Sequence, residues 1–78
     1  MKLRTMETGQ TGTVQAISVQ GTLGLRLREM GLVPGTSITM EGRAPLQDPV
    51  KIRLHGQILT LRNNEADHIV INVQEAGQ

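Results

Sequence analysis

The chain contains no cysteine, which excludes disulfides, thiolate metal sites and cysteine nucleophiles. It contains no Phe, Tyr or Trp either. Base stacking on rings, aromatic cages and the aromatic groove that reads proline-rich peptides therefore cannot be built. Neither sign of charge is in excess: eight Lys and Arg against seven Asp and Glu leave +1. That balance argues against a protein whose work is gripping phosphate backbones. No apolar run approaches bilayer-spanning length, and none follows the basic start Met1-Lys2-Leu3-Arg4. Neither a membrane span nor a secretory signal is expected, and a cytoplasmic chain is the default.

What remains is the composition of one small folded domain, residues 1–78. The sequence is 37% hydrophobic and 19% charged, a mixture that folds rather than one that stays disordered. A chain of 78 residues buries only roughly 60% of its unfolded surface, so the core must be compact and an enzyme with a buried cleft under a lid is disfavoured. There is no internal repeat, low-complexity tract or dividing linker. Glu75 to Gln78 reads as a short frayed tail.

Glycine and proline mark out the elements. Thr8-Gly9-Gln10 signals a turn, and Thr13 to Val19 then reads as a strand. Its apolar residues change parity, from Val14 and Ala16 to Ile17 and Val19, which a strict period of two does not allow on one face. A bulge or sharp bend is expected there. Thr22 to Met30 is the one convincing helix, with Leu23, Leu27 and Met30 on one face and Thr22 as the expected N-cap. Gly24 is a weak point early in it. Gly31 suits a left-handed C-terminal cap, with Leu32 folding back. Leu25 falls off the apolar face, either tucked under another element or exposed. Val33-Pro34-Gly35-Thr36 is a type II turn signal. Thr36 to Glu41 alternates with Ile38 and Met40 inward, and Gly42 to Pro49 is an extended loop whose prolines push Ala44 and Asp48 out of helix.

The next hairpin has the clearest arithmetic. Val50, Ile52 and Leu54 alternate with Lys51, Arg53 and His55. With His55-Gly56 as a two-residue turn, Ile52 faces Leu59, Val50 faces Leu61, Lys51 faces Thr60 and Arg53 faces Ile58. Asn63 to His68 reads as a helical turn capped by Asn63 or Asn64, and Ile69, Ile71 and Val73 form the last strand. The sum is a mainly β, five-stranded SH3-like barrel with one short helix after the first strand and a helical turn before the last.

Arg26-Leu27-Arg28-Glu29-Met30-Gly31-Leu32-Val33-Pro34-Gly35 resembles the helix and turn of the ferrous-iron-transport protein A (FeoA) family. Ala44-Pro45-Leu46-Gln47-Asp48-Pro49-Val50 resembles that family's Ala-Pro-Leu-Gly-Asp-Pro loop, with Gln47 in the glycine's place, and glutamine disfavours positive φ. Leu59-Thr60-Leu61-Arg62 is similar to a third marker, and Gly12 with Val14 to the start of the first strand. The markers fall in family order over residues 3–73. The resemblance implies an SH3-like cytosolic accessory of a bacterial or archaeal ferrous iron transporter of the FeoB type. It also implies contact with that transporter's cytosolic GTP-binding part. Related domains at the C-terminus of metal-dependent repressors imply an alternative, a metal-sensing regulatory domain.

Candidate sites were weighed on chemistry. No Gly-x-Ser-x-Gly, phosphate-binding loop or His-Glu-x-x-His is present, so no enzyme and no cofactor are expected. Glu65, Asp67 and His68 are the nitrogen and oxygen ligands of the metal-sensing alternative. A tight site needs three or four converging groups, and His55 lies across a hairpin from them. The plainer expectation is a solvated turn and no metal. Arg26, Arg28, Arg43, Lys51, Arg53 and Arg62 are interleaved with Glu29, Glu41 and Asp48, the pattern of a mixed solvated surface rather than a nucleic-acid face. Protein contact remains. Leu25 and Leu46, the apolar residues least explained by a core, with Arg28 and Arg43 as a charged rim, are the expected partner-binding surface. The competing arrangement folds the loop onto the helix and buries both leucines together. Ile58, outside the barrel, offers a strand edge for homo-oligomers.

Overall fold

The structure, a computed structural model, describes residues 1–73, so the tail read at Glu75 to Gln78 lies outside the described residues. Five antiparallel strands make one sheet: β1 (Thr11–Ile17), β2 (Ser37–Arg43), β3 (Val50–Leu54), β4 (Gln57–Leu61) and β5 (Ile69–Val73). Their order is β4-β3-β2-β1-β5. The sheet bends into the small SH3-like barrel shape without closing, since β4 and β5 share no ladder. Two bulges supply bend. One falls between Val14 and Ala16, a step before the parity change read at Ala16 and Ile17, and so leaves Ala16, expected on the face of Val14, exposed while Ile17 packs on the core. The other, between Met40 and Gly42 in β2, was not legible in the sequence.

β1 begins and ends two residues earlier than the alternation suggested, because Gly12 already pairs with Ile38 and Val73. β2 runs on to Arg43 rather than stopping at Glu41, since its bulge lets Gly42 and Arg43 pair with Lys51 and Val50. The β3–β4 hairpin has the expected register throughout, Val50 against Leu61 to Leu54 against Gln57. His55 and Gly56 both take positive φ, 50° and 75°, as a type I′ turn requires.

Helix α1 (Gly21–Glu29) packs Leu27 fully, and Leu23 and Met30 partly, against the sheet. Its N-cap is Gln20, with no side-chain bond, and Thr22 lies inside the first turn; the expected Thr22 cap is not formed. The C-terminal end follows the expectation. Gly31 has φ 100°, its N–H donates to Arg28 O at 2.9 Å, and Leu32 N–H donates back to Leu27 O at 3.1 Å. Gly35 has φ 95° and Thr36 N–H donates to Val33 O, completing the type II turn.

Among the described residues, fourteen apolar residues form the core, all aliphatic, with Met6 and Met40 as its sulfur side chains. The N-terminus contributes more than its charged sequence suggested. A 3-10 turn over Leu3–Thr5 buries Leu3, and Met6 follows it into the core. Each of these side chains contributes about 2 kcal/mol of burial.

Candidate functional site

The helical turn α2 (Asn63–Ala66) organises the surface around α1 and the proline loop. Its N-cap is Arg62, not Asn63 or Asn64, and Glu65 reaches back so that its Oε1 accepts Arg62 N–H at 2.9 Å. The other oxygen of Glu65 lies 3.2 Å from Arg26 Nη2, which ties α1 to α2. Glu65 is buried, and these contacts satisfy its charge.

Asn63 is taken up by the proline loop. Its backbone N–H donates to Asp48 Oδ1 at 2.9 Å, and its Nδ2 donates to Gln47 O at 3.0 Å. Asp48 thus supplies from a distant loop the acceptor that a helix start needs. Within the loop, Gln47 N–H donates to Ala44 O and Ala44 N–H donates to Pro49 O. Gln47 holds φ 68°, the conformation that glycine would adopt without strain. The loop is therefore fixed to α2, and its tip, Leu46, is left 89% exposed.

Leu25 is 57% exposed. The arrangement in which loop and helix bury the two leucines together is not formed, because the loop's polar anchors run to α2 instead of α1. A cleft of about 390 Å³ separates the walls, lined by Arg26, Asp48, Pro49, Thr60, Arg62 and Glu65. Leu25 immediately precedes one wall residue, Arg26, and Leu46 stands two residues before another, Asp48. Arg28, three positions after Leu25 on the same helix face, is also exposed.

Arg43 has a different environment from the rim expected of it. Its guanidinium Nη2 donates to the carbonyls of Arg4 and Met6, the latter at 2.7 Å, and so clamps the N-terminal turn. Arg26, Asp48 and Arg62 were expected as parts of a mixed solvated surface and Thr60 as the partner of Lys51; nothing in the sequence pointed to their lining one cleft.

Two of the three metal-ligand side chains, Glu65 and Asp67, have other partners. Glu65 is held by Arg26 and Arg62, and Asp67 Oδ2 pairs with Arg4 Nη1 at 3.0 Å. The His68 carbonyl accepts Ser18 N–H at 2.7 Å. Among the described residues, no three His, Cys, Asp or Glu side chains converge enough to hold an ion. Of the basic residues, Arg53 is paired with Glu41 at 3.1 Å, and that hydrogen bond, with its charge attraction, raises the Arg53 pKa above its ordinary value. Among the described residues no helix is long and apolar enough to cross a membrane.

Comparison with known proteins gives these features a context. The chain is similar to the Fe(2+) transport protein A/Fe(2+) transporter FeoB fusion protein of Porphyromonas gingivalis (strain ATCC BAA-308 / W83), with 33% identity over 73 residues. That match covers 94% of this chain and 9% of the fusion. Among solved structures, iron(II) transport protein A from Clostridium thermocellum superposes with a TM-score of 0.90 at 37% identity, over 94% of this chain and 45% of that one. The zinc complex of Stenotrophomonas maltophilia FeoA, an SH3 domain protein, shares the fold at 24% identity. Its TM-score is 0.82, over 92% of this chain and 89% of that one. The FeoA domain family matches residues 1–73, from the N-terminal 3-10 turn through β5, and the chain belongs to that family.

Proposed function

We propose that this domain is a cytoplasmic accessory of a FeoB-type ferrous iron transporter, acting by protein contact rather than by catalysis. The observation that carries this reading is the relative in which an A-type domain and the transporter FeoB are one polypeptide. Tethering of that kind raises the effective concentration of two modules to about the millimolar range, so it suits modules that must meet. A separate domain with the same task needs its own contact surface.

The surface is the exposed pair Leu25 and Leu46, with the cleft between their walls and Arg28 beside it. Two exposed leucines flanking a cleft lined by Arg26, Arg62, Asp48 and Glu65 offer a partner both apolar and charged contacts. The partner is the GTP-binding part of the transporter. The domain biases it between states by binding one more tightly than another, since a ligand shifts an equilibrium only by its differential affinity.

The test is an affinity capture from detergent-solubilised membranes, with and without a GTP analogue, identified by mass spectrometry. Recovery of a GTP-binding iron transporter, in amounts that change with nucleotide, supports the proposal; recovery of the domain alone overturns it. Leu25→Glu places a charge on an already exposed position, so the fold should hold to within about 0.5 kcal/mol while capture is lost. Undiminished capture by the folded variant would remove this surface from the proposal.

A further inference from the structure

The two edges of the sheet are treated differently. An edge strand presents unpaired peptide groups, a template for another strand unless something covers it. At β5 the N-terminus supplies the cover. Lys2 bridges to Val70, Ile71 N–H donates to Met1 O at 2.6 Å, and the Met1 amino group donates to Ile71 O at 2.8 Å. At β4, among the described residues, the only strand partner is β3.

The register shows which groups are left free. Leu54 and Gln57 flank a two-residue turn, so they exchange hydrogen bonds with each other, and the alternation of an antiparallel ladder does the rest. Gln57, Leu59 and Leu61 direct their peptide groups to β3, while Ile58 and Thr60 direct theirs outward. Among the described residues the backbones of Ile58 and Thr60 make no hydrogen bond outside the β3–β4 ladder. Gln57-Ile58-Leu59-Thr60-Leu61 also carries none of the features that blunt an edge: no charge, no proline and no bulge.

The geometry points to a second copy of this chain as the occupant, with two β4 strands paired antiparallel, edge to edge, about a two-fold axis through Leu59. The outward groups lie symmetrically about Leu59, so the strand is complementary to itself. Ile58 of each copy then faces Thr60 of the other, and each such pair exchanges two hydrogen bonds. Leu59 meets its counterpart at a non-hydrogen-bonded position, where Cα atoms approach to about 4.5 Å. Leu59 is only partly buried and faces Ile52 across β3, so the junction continues that apolar row into the second barrel. On the outer face, Ile58, 46% exposed, lies beside an uncharged threonine, and no like charges oppose each other across the new ladder. With the β5 edge covered, one free edge per copy makes a closed pair rather than a fibre. The contact is small, and the dimer is accordingly weak and concentration-dependent.

The test combines sedimentation of the 78-residue chain from about 10 µM to about 1 mM with residue-resolved amide hydrogen exchange. A dimer fraction that grows over this range is expected, with the Ile58 and Thr60 amides slowing as concentration rises. Leu59 and Leu61, already bonded to β3, should not change. Thr60→Pro removes an outward donor without taking a bond from β3, and should leave a monomer with an unchanged circular dichroism spectrum. Ile58→Thr keeps the backbone and should still dimerise, which association through an apolar patch would not. A wild-type monomer at the highest concentration overturns the proposal. So does a folded Thr60→Pro dimer, or concentration-dependent protection centred on any other element. Should Thr60→Pro fail to fold, the exchange pattern of the wild-type chain decides by itself.

Discussion

Gly24 packs against the carbonyl of Val19 so closely that a Cβ built on it would stand 2.4 Å from the oxygen and 3.2 Å from the carbonyl carbon. A glycine inside a helix ordinarily weakens it by about 1 kcal/mol relative to alanine. Here the contact reverses the sign. Gly24→Ala should lower stability by about 1–3 kcal/mol, because the group it meets is backbone and must move. Urea unfolding would read this as a fall in midpoint. Thr22→Ala, at an exposed position in the same turn, should leave the midpoint unchanged or raise it slightly.

Glu65 and Arg26 form one ion pair but should respond unequally to removal. Glu65→Ala strips the acceptor from Arg62 N–H as well as the partner of Arg26, and should cost about 1–3 kcal/mol. Arg26→Ala removes a side chain that is 63% exposed and should cost about 0.5 kcal/mol. Equal losses in paired unfolding curves would mean that the ion pair, and not the helix start, carries the effect.

Gln47 occupies a left-handed conformation with its side chain exposed. Gln47→Gly should relieve about 1 kcal/mol of backbone strain and raise the melting temperature. The Gln47 carbonyl that receives Asn63 remains in place. A fall in melting temperature would show that the flexibility gained by the unfolded chain outweighs the strain removed.

Arg43 should prove structural. Arg43→Ala leaves the Arg4 and Met6 carbonyls without their donor and should cost about 1–2 kcal/mol. Arg43→Lys should recover only part, since an ammonium group lacks the planar fork of a guanidinium. Faster exchange of the Thr5 and Met6 amides, which bond within the 3-10 turn, would locate the damage there.

What could be read from the sequence was what neighbouring residues decide. The hairpin register follows from alternation on either side of His55-Gly56. The bulge after Val14 follows from a parity change, and the end of α1 from one glycine placed after the last apolar position. What could not be read depends on residues far apart in the chain. Leu3 and Met6 lie among charged neighbours with no period, and the turn around Leu3 is buried by β5 and α2, elements far along the chain. Gly24 looks like a flaw until Val19 is placed against it. The first N–H of α2, that of Asn63, is taken by Asp48, fifteen residues earlier, so no local motif announces that contact. For the candidate surface, helical phase set Leu25 off the core face but left open whether it was tucked under another element or exposed. The exposure of Leu46 and the diversion of Arg43 required knowing where the loop and the N-terminus dock.

The contacts of Met1 and Lys2 with Val70 and Ile71 also order events during synthesis. Within this domain, the residues made earliest find their hydrogen-bond partners only when β5, some seventy residues later, has been made. Until then the turn around Leu3 lacks the strand it packs beside, and the core lacks Ile69 and Ile71. Contacts this distant in sequence make folding slow relative to local topologies. Completion of the barrel therefore waits for its last strand to emerge.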